Sequence, residues 1–255
     1  MSIVTVRGVT LGDGSCRVIV PLVTGDPLEV PRLAAELAAC KPDLIEWRAD
    51  HIAELRYDPQ MLLLCLQRIR RRIGEIPLLV TWRSAKEGGA LDLPPEEYEA
   101  FCRTVCESGC ADLLDVELFT AAASRSYIFA CAAQHGVKTV CSSHDFAKTP
   151  SREEMVSRLC KMQQLGADIV KLAVMPNNRQ DVAALLAATA EMAERHPETP
   201  VLTMSMGALG QVSRMAGGCF GSCAAFAAAG RSSAPGQPAP EDLRAALQLL
   251  DPKQH

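Results

Sequence analysis

Several absences narrow the reading of this 255-residue sequence before any motif is considered. No apolar run approaches the roughly 18–20 residues of a membrane-spanning helix, so no span is expected. The segment VTVRGVTLGDG at 4–14 has neither the basic start and apolar stretch nor the cleavage site of a secretory signal, which points to a cytoplasmic protein. A long basic run is also missing. With 26 Lys+Arg against 30 Asp+Glu and a formal charge of -4, there is no clustered positive face to track phosphates, which argues against a nucleic-acid binder. The 11 cysteines include no Cys-x-x-Cys pair, and their odd number disfavours a disulfide framework. Cys102, Cys106 and Cys110 recur every four residues, as do Cys219 and Cys223; on helices such stripes read as small apolar packing residues. A cysteine-rich metal or redox protein is therefore the weaker alternative, since such sites depend on ligand spacing.

What is present is a strict alternation. Short β-rich runs at 16–22, 43–49, 77–83, 112–118, 137–143, 168–174, 200–206 and, more weakly, 221–227 are separated by segments of helical period at 30–41, 57–73, 93–109, 121–136, 149–166, 179–196, 211–217 and 240–251. Capping signals such as Thr149-Pro150-Ser151 and stops at Gly136 and Gly166 punctuate them. Strands alternating with helices imply a parallel sheet, and eight such units in about 250 residues imply an α/β fold, a closed (β/α)8 TIM barrel. An open doubly wound sheet is the alternative, weakened by the missing Gly-x-Gly-x-x-Gly after the first run. The segment 4–14 is expected to form a β-hairpin over one barrel end, Gly230 to Pro240 a loop after the eighth strand, and residues 1–255 one domain.

Barrel enzymes carry their chemistry at the carboxyl ends of the strands. The second run ends in Glu46-Trp47-Arg48, whose period of two puts Glu46 and Arg48 on one face. The third ends in Trp82-Arg83 and enters a loop with Glu87-Gly88-Gly89; the fifth ends in Ser142-Ser143-His144-Asp145. Lys171 interrupts an apolar strand, where lost hydration disfavours the ammonium and a neutral amine could attack a carbonyl. A packed stem with its head reaching out beside Glu46 or Glu87 is the competing reading. His144 suits proton transfer near neutral pH, or a purely structural role; His51, His135, His196 and His255 are expected to be solvated. Arg48, Arg83 and Arg214 converging on one mouth would make an anion site, with Ser232, Ser233 and Gln237 in the last loop. These residues describe a Schiff-base enzyme for a small anionic carbonyl compound.

The ordered motifs Glu46-Trp47-Arg48-Ala49-Asp50, Thr81-Trp82-Arg83 with Glu87-Gly88-Gly89, Ser143-His144-Asp145-Phe146, Val170-Lys171, Met204-Ser205-Met206-Gly207 with Ser213-Arg214, and Ser233-Ala234-Pro235-Gly236-Gln237 resemble type I 3-dehydroquinate dehydratases. The resemblance implies a carbon–oxygen lyase of the shikimate pathway of aromatic amino-acid biosynthesis, converting 3-dehydroquinate to 3-dehydroshikimate and water. It implies a catalytic set in which Lys171 forms the imine, His144 is the general acid/base and Glu87 orients and tunes that histidine. It implies substrate binding by Glu46, Arg48, Arg83, Arg214, Ser233 and Gln237, no cofactor or metal, and a homodimer. Where some relatives carry a serine, this chain has Pro21, so no contact is assigned there. A class I aldolase or transaldolase is the alternative within Schiff-base barrels.

Overall fold

The computed structural model describes residues 2–250. Eight parallel strands form the barrel: β3 (Arg17–Leu22), β4 (Leu44–Arg48), β5 (Leu78–Thr81), β6 (Leu113–Glu117), β7 (Lys138–Asp145), β8 (Ile169–Val174), β9 (Val201–Ser205) and β10 (Ala224–Phe226). Their order in the sheet is β10-β3-β4-β5-β6-β7-β8-β9. The seam between β9 and β10 is closed by a parallel bridge, Val201 with Ser222, and by the Cys223 amide donating to the Val201 carbonyl at 2.8 Å. Seven of the expected strand runs contain one of these strands whole, and β7 runs two residues past the end of its own; the closed seam excludes the open-sheet alternative.

The helices are α1 (Val30–Ala39), α2 (Pro59–Ile73), α3 (Pro95–Glu107), α4 (Ala122–Gln134), α5 (Arg152–Gln164), α6 (Arg179–Arg195), α7 (Gly207–Ala216) and α8 (Pro240–Leu249). Several begin where a side-chain oxygen satisfies a free amide of the first turn: Asp58 accepts from Met61 N, Ser151 from Glu154 N and Asn178 from Asp181 N. Among the described residues no helix is long and apolar enough to cross a membrane. The last residue of the expected final helical segment, Asp251, and His255 lie outside the described residues.

The two barrel ends differ in chemistry. At the amino ends of the strands, the antiparallel hairpin β1 (Val4–Val6) and β2 (Val9–Leu11) inserts Val4, Val6 and Leu11 against Ile19, Leu44, Leu79, Leu113, Val140 and Ile169. This apolar plug is the expected cover. Aspartates just before β4, β6 and β8 reinforce that end: Asp43 accepts from Val18 N, Asp112 from Leu78 N and Asp168 from Thr139 N. Arg7 of the hairpin ties in by donating to Asp112 at 2.7 Å. With the floor sealed, ligands reach the interior from the carboxyl ends.

The cysteine stripes need correction. Cys102 and Cys106 are buried on α3, but that helix stops at Glu107 ahead of the left-handed Gly109, so Cys110 lies in the following turn. Cys219 is exposed in the 3-10 turn Gly217–Phe220, while Cys223 is buried at the entry to β10. They share no helix face.

Leu11 is 2% exposed beneath the barrel floor. Leu11→Ala should lower the urea unfolding free energy by about 2–5 kcal/mol through lost burial and the cavity left behind. Turnover per folded molecule should stay within about twofold, since the mouth is untouched; a loss below about 0.5 kcal/mol would mean that the plug does not support the barrel.

Candidate active site

Period-two alternation turns Glu46 and Arg48 of β4, Asp115 and Glu117 of β6, Ser142 and His144 of β7, and Lys171 of β8 toward the interior. The Lys171 amine is buried, but it is not left among apolar groups. It donates to Asp115 Oδ2 at 3.1 Å and Glu46 Oε1 at 3.4 Å, and it stands 4.9 Å from the Phe226 ring centre. Glu46 Oε1 also accepts from Thr81 Oγ1 at 3.0 Å. Of the alternative anions expected beside this lysine, Glu46 or Glu87, the first is there; Asp115 is a second partner that was not expected.

Asp115 is the junction of this network. Its Oδ1 pairs with an Arg83 Nη at 2.8 Å and accepts from Ser142 Oγ at 2.6 Å. Burial alone would raise its pKa, but Arg83 and Lys171 outweigh burial and hold it well below the ordinary aspartate range. Arg83 continues the chain, donating to Glu117 Oε1 at 3.0 Å and Ser142 Oγ at 2.9 Å. Burial would lower the Arg83 pKa; Asp115, Glu117 and Glu87 together raise it above the ordinary guanidinium value.

His144 sits one inward position beyond Ser142. Its Nδ1 lies 2.9 Å from Glu87 Oε2, and the same oxygen accepts from the His144 amide at 2.9 Å. Glu87 reaches this position from the 3-10 turn Ala85–Glu87, followed by Gly88 at φ 85°. A Cβ on Gly88 would meet the Phe146 ring at 2.3 Å, so the turn requires glycine for conformation and space. Burial, with Arg83 and Lys171 nearby, pushes the His144 pKa well below the ordinary imidazole value, against the pull of Asp115. Burial and the neighbouring Glu117 raise the Glu87 pKa to about 8 despite Arg83. His144 is thus neutral at pH 7 and able to accept a proton.

Lys171, His144, Glu87, Glu46, Arg48, Arg83, Ser233 and Gln237 all line one cavity, with about 390 Å³ of free space that includes open solvent. Arg48 is held by Asp50 through two hydrogen bonds of 2.7 Å and donates to the Ser233 carbonyl at 3.3 Å. Gln237 donates to Ser233 Oγ at 3.0 Å and accepts from Ser232 Oγ at 2.9 Å, which binds the final loop to itself. Gly236, at φ 80°, is seated so closely on the Gly207 carbonyl that a Cβ would lie 2.3 Å from it.

Arg214 differs from the expected convergence. It comes from the last turn of α7, outside the cavity lining, with one Nη on the Pro235 carbonyl at 3.2 Å and the other 3.5 Å from Met204 Sδ. Its Nε is buried without a partner, and burial lowers its pKa to about 10. Among the described residues no carboxylate stands beside it, and a buried cation so placed is costly, by several kcal/mol, and gains most from an incoming anion.

Comparison with known proteins follows this geometry. The family model for type I 3-dehydroquinase matches residues 18–254. The chain belongs to the type I 3-dehydroquinase family. A 3-dehydroquinate dehydratase of Shigella boydii is 44% identical over 250 residues, covering 98% of this chain and 99% of the relative. One from Clostridium kluyveri is 41% identical, covering 98% of each. The crystal structure of a type I 3-dehydroquinate dehydratase from Clostridium difficile, with covalently modified comenic acid, has a TM-score of 0.94 and 40% identity, covering 99% of this chain and 98% of its own. Membership of the type I 3-dehydroquinase family sets aside the aldolase or transaldolase reading and the metal or redox reading.

Within this type I 3-dehydroquinase site, sequence reasoning missed Asp115, Glu117 and Phe226, and gave no role to Ser142 and Thr81, which stood in its motifs. One signal was available: two carboxylates at alternate positions of a buried strand, Leu113–Glu117, are as anomalous as a lysine in β8. His51 also differs from its expected solvation; it is half-buried, with Nε2 3.8 Å from Asp50, and burial lowers its pKa despite that carboxylate.

The raised Glu87 pKa has a stability consequence of definite sign. Between its ordinary value of about 4.3 and its folded value near 8, the folded state binds more protons than the unfolded one, so stability falls as pH rises. Between about pH 6.5 and 8, urea unfolding of the wild type should lose up to about 1.4 kcal/mol per pH unit relative to Glu87→Gln. Parallel curves for the two proteins would contradict the assignment.

Proposed function

We propose that Lys171 is the imine-forming amine and His144 the proton carrier of the 3-dehydroquinate dehydratase reaction, with Glu87 orienting and tuning His144. The nitrogen lone pair, available once the ammonium has given up a proton, adds to the ring ketone, and loss of water leaves an iminium. That cation draws electrons from the adjacent carbon, making its proton removable by a base of modest strength. Neutral His144 takes the proton; the β-hydroxyl then leaves as water, protonated by the same imidazole. Hydrolysis of the imine frees 3-dehydroshikimate and restores Lys171.

The observation carrying this reading is the placement of a buried amine beside the His144–Glu87 pair on the lining of one cavity. Glu46, Arg48, Arg83, Ser233 and Gln237 line the same space and hold the substrate's oxygens in this account. Arg214, a cation without a carboxylate partner among the described residues, receives the substrate carboxylate in this account. A homodimer and a cytoplasmic location belong to the same reading and rest on the family relationship; one elution peak at the monomer mass would remove the dimer.

Borohydride reduction in the presence of 3-dehydroquinate should leave the substrate-derived mass on the peptide containing Lys171 and nowhere else, and Lys171→Ala should abolish it. Labelling of another lysine by an active enzyme would overturn the assignment. His144→Ala should lower turnover by about 10²-fold or more, the scale of a general acid/base contribution, whereas turnover within a few-fold of wild type would move that role elsewhere.

A further inference from the structure

The segment that carries Glu87 is fixed at both ends. At its start, Ser84 donates to Glu117 from its amide at 2.8 Å and from Oγ at 2.7 Å. At its far end, the Ala90 amide donates to Asp50 Oδ2 at 3.0 Å. Glu87, with its hydrogen bonds to His144, lies between these two anchors. Asp50 also holds Arg48, which donates to it from Nε and one Nη at 2.7 Å each; the other Nη donates to the Ser233 carbonyl of the final loop at 3.3 Å. His51 Nε2 stands 3.8 Å from the same carboxylate. One side chain, on a residue 1% exposed in the turn after β4, thus touches both the arginine bound to the final loop and the segment that delivers Glu87.

From this placement we infer that Asp50 is a positioning residue of the reaction, a single carboxylate that aims Arg48 and fixes the segment bearing Glu87, so that substrate binding and proton transfer are held in one arrangement. The inference rests on the dehydratase reading above. Arg48 shares the inward face of β4 with Glu46 and lines the same cavity as Glu87. A guanidinium left free there would be drawn to those carboxylates, which serve Lys171 and His144. The two-pronged pairing with Asp50 prevents this. It occupies Nε and one Nη in a fixed plane and leaves the other Nη on Ser233, itself on the cavity lining. The negative charge this requires is secure: burial would raise the Asp50 pKa, but Arg48 and the Ala90 amide outweigh burial and hold it below the ordinary aspartate range. Gly89 packs so closely on the Arg83 carbonyl that a Cβ would lie 1.8 Å from it, which leaves the stretch between Glu87 and Ala90 little room to yield.

A carboxylate that only supported the fold would change the amount of folded protein and not the rate constants of the folded fraction. A kinetic double-mutant cycle on Arg48 and Asp50, with rates expressed per folded molecule, separates the two roles. Asp50→Asn sets an amide nitrogen against the Arg48 donors and should lower kcat/KM by about 30-fold or more, the scale of a displaced positioning group, chiefly through KM. In the Arg48→Met background the same change should alter kcat/KM by no more than about threefold, because no arginine remains to aim and the asparagine oxygen still accepts the Ala90 amide. Arg48→Met with Asp50→Ala, which has no acceptor, should show a kcat about tenfold or more below that of Arg48→Met with Asp50→Asn, at nearly the same KM. These two double variants remove the charge pair together, so they carry the test if a single variant does not fold. Multiplicative losses in the cycle, or equal kcat for the two double variants, would overturn the positioning role and leave the dehydratase reading intact. A wild-type protein forming no 3-dehydroshikimate from 3-dehydroquinate would overturn that reading itself.

Discussion

A lysine ammonium placed inside a parallel barrel must be supplied with anions, and much of this site's arrangement follows from that requirement. Removing an ion from water costs several kcal/mol, and attraction in the interior repays it only with good geometry and further hydrogen bonds. Here Asp115 and Glu46 serve Lys171, while Arg83 serves Asp115 in turn and extends to Glu117. Ser142 and Thr81 hydrogen-bond carboxylate oxygens within the same network. The result is a continuous polar network in which removal of one member leaves another buried without compensation. Arg214 stands apart, with no carboxylate partner among the described residues, and that asymmetry separates groups stabilised by the fold from one poised to gain from an anionic ligand.

The same requirement explains why the barrel ends are built differently. The β1–β2 plug closes the amino end with Val4, Val6 and Leu11, so water enters the interior from the opposite side. There the final loop is bound by Arg48 at the end of β4 and by Arg214 of α7, through the carbonyls of Ser233 and Pro235. A low-polarity floor and a hydrogen-bonded roof keep the charges between them in a medium where each interaction is stronger than in bulk water. His144 is kept neutral by that setting and by two nearby cations, which equips it to take a proton from carbon.

Much of this was legible from residue order. Eight apolar runs separated by helical periods are enough to count a barrel because side-chain periodicity is local, and Lys171 was conspicuous because the rest of its strand is apolar. Pairings were less legible. Asp115 is the lysine's partner because of where β6 and β8 stand around the barrel, a matter of register and shear that no local pattern encodes. Arg214 appeared to join a convergent arginine cluster, yet it comes from α7 and sits against Met204 and Pro235, outside the cavity lining. Cys110 and Cys219 left their expected stripes because the turns containing them interrupt the helical spacing.

The central claim is that the charge on Asp115 and the amine of Lys171 are stabilised by one another within the barrel. A double-mutant cycle on urea unfolding free energy, with Lys171→Met, Asp115→Asn and the combined variant, measures this mutual dependence directly. Each single change should destabilise the fold, and the double variant should be more stable than the sum of the two by about 2–3 kcal/mol, because neither charge is then left unpaired. Additive losses, within about 0.5 kcal/mol, would contradict the account.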